Sequence, residues 1–302
     1  MANASNAPSS NATKTGMPVA DFDLSFTWHT GDWERLFDAQ IDLIKQDIAR
    51  AKADNRSAVY LSCPISSRGG GWSGTNVDIA RHVERSLLQR WGEGFWILNP
   101  AQYQLESNAG TGLLNEHAQR LHIDLSRLLA QSSPSGGDYM RMWTKVLVED
   151  GSGNVGRNFD AFYFLGPRDV FSFFSHGETL TLTAGIEAYF ARKFASDASF
   201  CDAFSIPDIK WGGSADAASK TKWAKLRVDF LRFYGLRASA NFSLGSHDEW
   251  EIFRQINAKR RKNSETPDMK DGDVGDQLAA FFDGNQVDPA SSQSKLSRGY
   301  AV

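Results

Sequence analysis

The chain has 302 residues, of which 41% are hydrophobic and 23% are charged, and its formal net charge is −3. That length fits one large domain or two ordinary ones, and without a basic excess we expect no nucleic acid polymer as partner. Two cysteines do not make a disulfide framework or a zinc site, and no segment approaches the roughly 20 apolar residues of a membrane span. We therefore expect a soluble cytoplasmic protein with no metal, no cofactor and no membrane contact.

Along the chain, helices alternate with short apolar runs. The helices are predicted where apolar residues recur three and four positions apart, and the apolar runs are predicted to be buried strands. The predicted helices are 31–54, 75–91, 113–130, 139–148 (whose end, 145–148, also fits a strand), a helix that carries Glu187 and ends near 194, 215–234 and 247–262. The predicted strands are 59–63, 95–98 and 159–165.

This alternation is typical of a parallel sheet that is covered on both faces. We predict an α/β fold with a doubly wound, flavodoxin-like or Rossmann-like parallel sheet, helices on both faces, and added helices at the N- and C-terminal ends. Residues 1–20 are predicted to be a disordered arm, 21–262 a single α/β domain, and 263–302 a largely disordered tail with one short helix at 276–282. Ligands of such sheets bind beyond the carboxyl ends of the strands.

Glu187 is the main catalytic candidate, because it follows the third predicted strand in the segment Thr181-Leu-Thr-Ala-Gly-Ile-Glu187. In the first turn of a helix, a carboxylate is kept ionised by the helix dipole and is available as a nucleophile. An ordinary glutamate that stabilises its own helix fits the same position. Gly185 favours a ligand, because glycine within a helix costs about 1 kcal/mol relative to alanine and so indicates the close approach of another group.

The glycine-rich loop 66–71 follows the first predicted strand and contains Arg68, Gly70 and Gly71. Backbone N–H groups beside an arginine suit an anion such as a phosphate, and a flexible connection fits the loop equally well. The loop is neither a Walker A loop nor a dinucleotide fingerprint.

Four other residues are candidates for the same crevice. Asp78 lies one turn inside the following helix, where a solvated face is the alternative interpretation. Tyr139 and Arg141 suit stacking on a base and holding a phosphate, and core packing of Tyr139 with Arg141 at the surface is the alternative. Asp169, four residues after the third strand, fits an acid, a ribose ligand or a turn residue.

Three segments together resemble the nucleoside 2-deoxyribosyltransferase-like family. Tyr60-Leu-Ser62-Cys-Pro64 is similar to the family's first strand, Phe159-Asp160-Ala-Phe-Tyr-Phe-Leu to a later strand, and the segment around Glu187 to the helix whose glutamate attacks the sugar C1′. The resemblance covers roughly residues 57–195. It departs at Thr181, where the family has an aspartate, and at Cys63, where it has a glycine.

The resemblance implies cleavage of the N-glycosidic bond of a nucleoside or nucleotide, by hydrolysis or base exchange. It implies Glu187 as the nucleophile, Asp160 and Asp169 as further catalytic residues, and Tyr60 and Ser62 as substrate contacts. It also implies a homo-oligomer. The alternative is a nucleotide-binding or sensing module without turnover, which Thr181 favours, and a third interpretation is a partner-binding protein on the same fold.

Overall fold

The computed structural model describes residues 12–105, 110–151, 153–175, 181–205, 217–264, 277–288 and 299–302. This part of the chain contains ten α-helices and seven β-strands. The helices are α1 (Asp32–Ala53), α2 (Ser73–Trp91), α3 (Gly110–Arg120), α4 (Leu125–Gln131), α5 (Gly136–Val148), α6 (Pro167–Phe174), α7 (Leu182–Ser196), α8 (Ala198–Phe204), α9 (Ala217–Leu236) and α10 (Leu244–Ser264). The strands are β1 (Thr13–Gly16), β2 (Phe26–His29), β3 (Ser57–Ser62), β4 (Phe95–Leu98), β5 (Ala161–Phe164), β6 (Ala279–Phe282) and β7 (Asn285–Val287).

Five strands form the central sheet, in the order β4-β3-β5-β6-β7. Strands β4, β3, β5 and β6 are parallel, and β7 turns back from β6 as an antiparallel edge strand. Strands β1 and β2 pair separately as a two-stranded antiparallel ribbon. The prediction of an α/β fold with a mostly parallel sheet is therefore confirmed.

Helices pack on both faces of this sheet, and the alternation of side chains along β3 separates the two faces. Tyr60 points to one face, called here the Tyr60 face, whose core includes residues of α1, α5 and α10. Val59 and Leu61 point to the opposite face, the Val59 face, whose core includes residues of α2, α6, α7, α8 and α9. Because both faces are covered, the strands in the middle of the sheet are almost continuously apolar.

The direction in which successive strands are added to the sheet reverses between β3 and β5. From β3 the chain passes through α2 to β4 on one side, whereas from β5 it continues to β6 on the other side. In open α/β sheets, such a reversal leaves a crevice beyond the carboxyl ends of the two strands concerned. We therefore expect a ligand site at the carboxyl ends of β3 and β5, near Ser62 and Leu165.

The predictions for the two ends of the chain are wrong in three places. The arm expected at 1–20 contains β1, which pairs with β2. The tail expected at 263–302 contains β6 and β7, and the helix expected at 276–282 is strand β6, since its four apolar residues pair with β5 inside the sheet. Residues 1–11, 265–276 and 289–298 lie outside the described residues, and so do the corresponding parts of both predictions.

The helix predicted at 113–130 is divided into α3 and α4. His122 adopts a left-handed backbone conformation with φ +56°, which a helix does not continue through. Asp124 then begins α4 by accepting the backbone N–H of Arg127 at 3.0 Å. Helices α6 and α8 were not predicted, and the other predicted helices and strands lie within about three residues of their observed bounds.

Candidate functional site

A buried carboxylate, that of Glu249 on α10, lies against the carboxyl end of β3. The Tyr60 hydroxyl donates a hydrogen bond to Glu249 Oε1 at 2.7 Å, and Ser62 Oγ donates one to Oε2 at 2.5 Å. Tyr60 and Ser62 are fully buried, and Glu249 is 6% exposed. Two of the residues expected to contact substrate, Tyr60 and Ser62, are thus brought together around an acid that the sequence analysis did not single out.

The positions of these three side chains follow from local periodicity. Tyr60 and Ser62 are two residues apart on a strand, so they point to the same face. Glu249 precedes Ile252, Phe253 and Ile256 by three, four and seven positions, which places it on the stripe of α10 that packs against the Tyr60 face. Glu249 is therefore the polar member of an otherwise apolar helix–sheet contact.

Burial controls the protonation of this site. Desolvation raises the pKa of Glu249 to about 7, although the hydrogen bonds from Ser62 and Tyr60 act in the opposite direction. Burial, together with the nearby Glu249 charge, raises the pKa of Tyr60 and of Cys63 well above their usual values. At neutral pH, Glu249 can therefore gain or lose a proton, while Tyr60 and Cys63 keep theirs. Such a carboxyl group suits acid–base chemistry or the stabilisation of a developing cation.

The first turns of α10 contain two further buried polar groups. Ser246, three residues before Glu249 and on the same side of the helix, has a buried Oγ with no hydrogen-bond partner among the described residues. Asp248 accepts the backbone N–H groups of Gly299 at 3.1 Å and of Tyr300 at 2.6 Å. An unsatisfied hydroxyl one helical turn from a buried acid is a feature that a bound ligand or water would complete.

Glu187 lies on α7, which packs against the Val59 face. Its side chain is 43% exposed and forms an ion pair with Arg227, with 3.0 Å between Glu187 Oε1 and Arg227 Nη2. Tyr60 points to the opposite face of the sheet, so the structure does not bring Glu187 and Tyr60 together. The prediction that Glu187 and Tyr60 share one crevice is therefore wrong. Helix α6 follows β5 directly, and α7, which carries Glu187, packs over the outside of the Val59 face.

The two aspartates expected to be catalytic hold the backbone in place. Asp169 lies in the first turn of α6: its Oδ2 accepts the N–H of Gly166, the residue before the helix, at 2.9 Å, and its two oxygens accept the Tyr163 hydroxyl at 2.9 and 3.1 Å. Burial raises the pKa of Asp169 to about 6. Asp160 lies at the amino end of β5 and accepts the N–H of Ala58 at 2.7 Å. Asp160 therefore lies at the amino ends of the strands, whereas the expected crevice lies beyond their carboxyl ends.

The glycines of loop 66–71 are explained by contact with α9. Gly70 has φ +113°, and a Cβ atom on it would lie 2.7 Å from the carbonyl oxygen of Asp229. A Cβ atom on Gly71 would lie 2.5 Å from the ring of Phe233. Close packing between the loop and α9 requires glycine at both positions, while Arg68 is exposed on the loop.

The remaining candidates connect helices to each other. Asp78 accepts the Tyr189 hydroxyl at 2.9 Å and pairs with Lys193 at 3.0 Å, which joins α2 to α7. Arg141 is buried and pairs with Asp38 at 2.7 Å and with Glu34 at 3.2 Å, both on α1. The carboxylates of α1 thus neutralise the charge of Arg141 at Nη2, and its buried Nη1 has no hydrogen-bond partner among the described residues.

Tyr139 and Gly185 also have packing roles. The ring of Tyr139 meets Phe37 of α1 edge-on, with 5.1 Å between the ring centroids. A Cβ atom on Gly185 would lie 2.1 Å from the carbonyl oxygen of Phe174, so the glycine allows α7 to approach α6 closely. The close approach that the sequence indicated at Gly185 is therefore made by another helix.

Comparison with known proteins assigns no role to these residues. No family model, no curated protein and no solved structure gives a significant match to the chain. Within the described residues, no three or more His, Cys, Asp or Glu side chains are grouped so as to hold a metal ion. None of the described helices is both long and apolar enough to cross a membrane.

Replacing Gly185 with alanine tests the packing role of this glycine. We expect a loss of about 1–3 kcal/mol in the free energy of unfolding, because the methyl group would push α6 and α7 apart. Gly112→Ala is the matched control, since a Cβ atom there meets nothing within 4 Å in helix α3. Urea unfolding of both variants measures the difference, and equal stability of Gly185→Ala and wild type would contradict the packing role.

Replacing Glu249 with glutamine tests the burial of this acid. Between pH 4.5 and 7 the folded wild type holds a proton that the unfolded chain has released, so its free energy of unfolding falls as the pH rises. Glu249→Gln has no such proton, so its stability relative to wild type should rise by roughly 3 kcal/mol from pH 4.5 to 8. Urea unfolding at both pH values measures this. A difference that does not change with pH would show that Glu249 is not desolvated.

Proposed function

We propose that this protein cleaves the N-glycosidic bond of a nucleoside or nucleotide, by hydrolysis or by base exchange, and that Glu249 supplies the carboxylate that acts at C1′. The observation that carries the proposal is the buried Glu249 carboxylate held by Tyr60 and Ser62 at the carboxyl end of β3. The strand that holds it is the one that resembles the first strand of the nucleoside 2-deoxyribosyltransferase-like family. Glu249 takes the role that the sequence resemblance assigned to Glu187.

The topology of the sheet supports this position for a substrate. We propose that the sheet is doubly wound in the flavodoxin manner, because α2 crosses from β3 to β4 on the Val59 face and α5 lies between β4 and β5 on the Tyr60 face. In sheets of this kind the ligand lies where the strand order reverses. Strand β3, which carries Tyr60 and Ser62, is one of the two strands at that reversal.

The chemistry of the site fits the cleavage of a nucleoside. The reaction passes through a state in which C1′ carries positive charge, as in the hydrolysis of O-glycosides. An ionised Glu249 would stabilise or trap that charge. The hydroxyl groups of Tyr60 and Ser62 hold both carboxylate oxygens and so fix the direction in which the acid acts. Ser246 Oγ offers a further polar group for the sugar or the leaving base.

A second candidate function is nucleotide binding without turnover. Both Glu249 oxygens are already hydrogen-bonded and the side chain is only 6% exposed, which also suits a structural role for this acid. In addition, Thr181 stands where the family has an aspartate, and it caps α7 by accepting the N–H of Ala184 at 3.2 Å. A ligand that raises the melting temperature and is recovered intact would favour this function.

Release of free base is the test of the first function. Wild type, Glu249→Gln and Glu187→Gln are each incubated with nucleosides, nucleoside monophosphates and NAD, and the base is measured by chromatography. We expect at least one substrate to be cleaved, Glu249→Gln to be at least about 100-fold slower, and Glu187→Gln to keep the wild-type rate. Circular dichroism spectra establish that both variants are folded.

Two results would contradict this proposal. If no substrate releases its base, the protein is not an N-glycosidase for this class of compound. If Glu187→Gln is inactive while Glu249→Gln is active, the catalytic acid is the exposed glutamate on α7, as the sequence resemblance implies.

A further inference from the structure

A groove with a volume of 490 Å³ lies between α2, α6 and α7, on the outside of the Val59 face. This volume is within the range of small-molecule sites. The groove is separated by the sheet from Glu249, which lies on the Tyr60 face. It belongs therefore to a different part of the molecule from the proposed catalytic site.

Two arginines line this groove from opposite sides, Arg85 on α2 and Arg192 on α7. None of the described residues that line the groove is acidic. The nearby carboxylates already have partners, since Asp78 pairs with Lys193 and Glu187 pairs with Arg227. Neither Arg85 nor Arg192 forms an ion pair within the described part of the chain, so the described lining of the groove has an excess of positive charge.

The donors in the groove match the acceptors of a phosphate group. Each guanidinium has several N–H donors in one plane and binds oxyanions with two parallel hydrogen bonds. The Ser86 hydroxyl and the Gln89 amide, also on α2, line the groove and add neutral donors. Two arginines that line one groove, with no carboxylate among its described lining residues, suit a dianion better than a single negative charge.

Aromatic rings form the other part of the lining. Phe173, Phe174 and Tyr189 are in mutual contact, with ring centroids 4.9 to 5.4 Å apart. The Tyr189 hydroxyl is held by Asp78, which fixes this ring, and the Arg192 guanidinium lies 5.6 Å from its centroid. Gly185 and Ala188 contribute little bulk to the lining. A flat ring can therefore pack against the aromatic side chains while an attached anion reaches the arginines.

We propose that this groove is a binding site for a phosphate monoester that carries a planar ring, with Arg85 and Arg192 holding the phosphate. The site is independent of the proposed N-glycosidase activity, because it shares no residue with the Glu249 site. A nucleoside monophosphate and an aryl phosphate both have this chemistry.

Calorimetric titration tests the proposal with four probes: inorganic phosphate, phenyl phosphate, adenosine 5′-monophosphate and adenosine. We expect both phosphate esters to bind more tightly than inorganic phosphate, and adenosine to bind much more weakly than its monophosphate. Tighter binding of the nucleotide than of phenyl phosphate identifies a nucleobase ligand, and equal binding identifies a general aryl phosphate site. Adenosine that binds as tightly as its monophosphate would overturn the role of the arginines.

Charge-removing variants locate the binding. Arg85→Gln and Arg192→Gln should each weaken the Kd for the phosphate esters by about tenfold or more, and both side chains are exposed, so the fold should be kept. Arg81→Gln, also exposed on α2 but outside the groove, is the control and should bind like wild type. Glu249→Gln should bind phenyl phosphate, which has no N-glycosidic bond, like wild type.

The proposal is wrong if no phosphate ester binds wild type at about 10 mM. It is also wrong if Arg85→Gln and Arg192→Gln bind as tightly as wild type, or if only Glu249→Gln loses binding. That last result would place the ligand at the candidate catalytic site. It would contradict binding in the groove but not the proposed N-glycosidase activity.

Discussion

The carboxylate of Glu249 lies between helix α10 and strand β3, where the hydroxyls of Tyr60 and Ser62 each donate a hydrogen bond to it. Burying an acid in this way is unfavourable unless its oxygens are hydrogen-bonded, so the three side chains constrain each other. The contact fixes how the first turns of α10 sit on the sheet. The apolar residues one and two turns later, Ile252, Phe253 and Ile256, then cover the Tyr60 face.

The sheet divides the chemistry of the molecule into two separate regions. On the Tyr60 face, the buried charges of Glu249 and Arg141 are each held by specific protein groups. On the Val59 face, polar residues link the outer helices: Asp78 joins α2 to α7, and Glu187 joins α7 to α9. The same face has the groove lined by Arg85 and Arg192, and no acidic residue is among its described lining residues. A catalytic acid and a phosphate site are therefore proposed on opposite faces.

Local patterns predicted the elements well, whereas contacts between distant segments were not predictable. Strand β4 was found because Phe95 to Leu98 is an apolar run that ends at Asn99-Pro100, and helix α1 because its apolar spacing is regular over 22 residues. Strand β6 was missed because its four apolar residues lie in a polar tail, and only pairing with β5 makes them a strand. A motif favoured Glu187 as the catalytic residue, yet α7 packs on the Val59 face, on the other side of the sheet from Tyr60. Glu249 carried one usable signal, a carboxylate in line with an apolar helical stripe.

The most direct test of the burial of Glu249 is a titration of its carboxyl group. Carbon-13 NMR of protein labelled at the glutamate side-chain carboxyl, recorded from acid to mildly alkaline pH, follows each glutamate separately, and Glu249→Gln identifies the resonance. We expect one resonance that titrates at about pH 7 and is absent from the variant. A Glu249 resonance that titrates near 4.5, the ordinary value for glutamate, would contradict this burial.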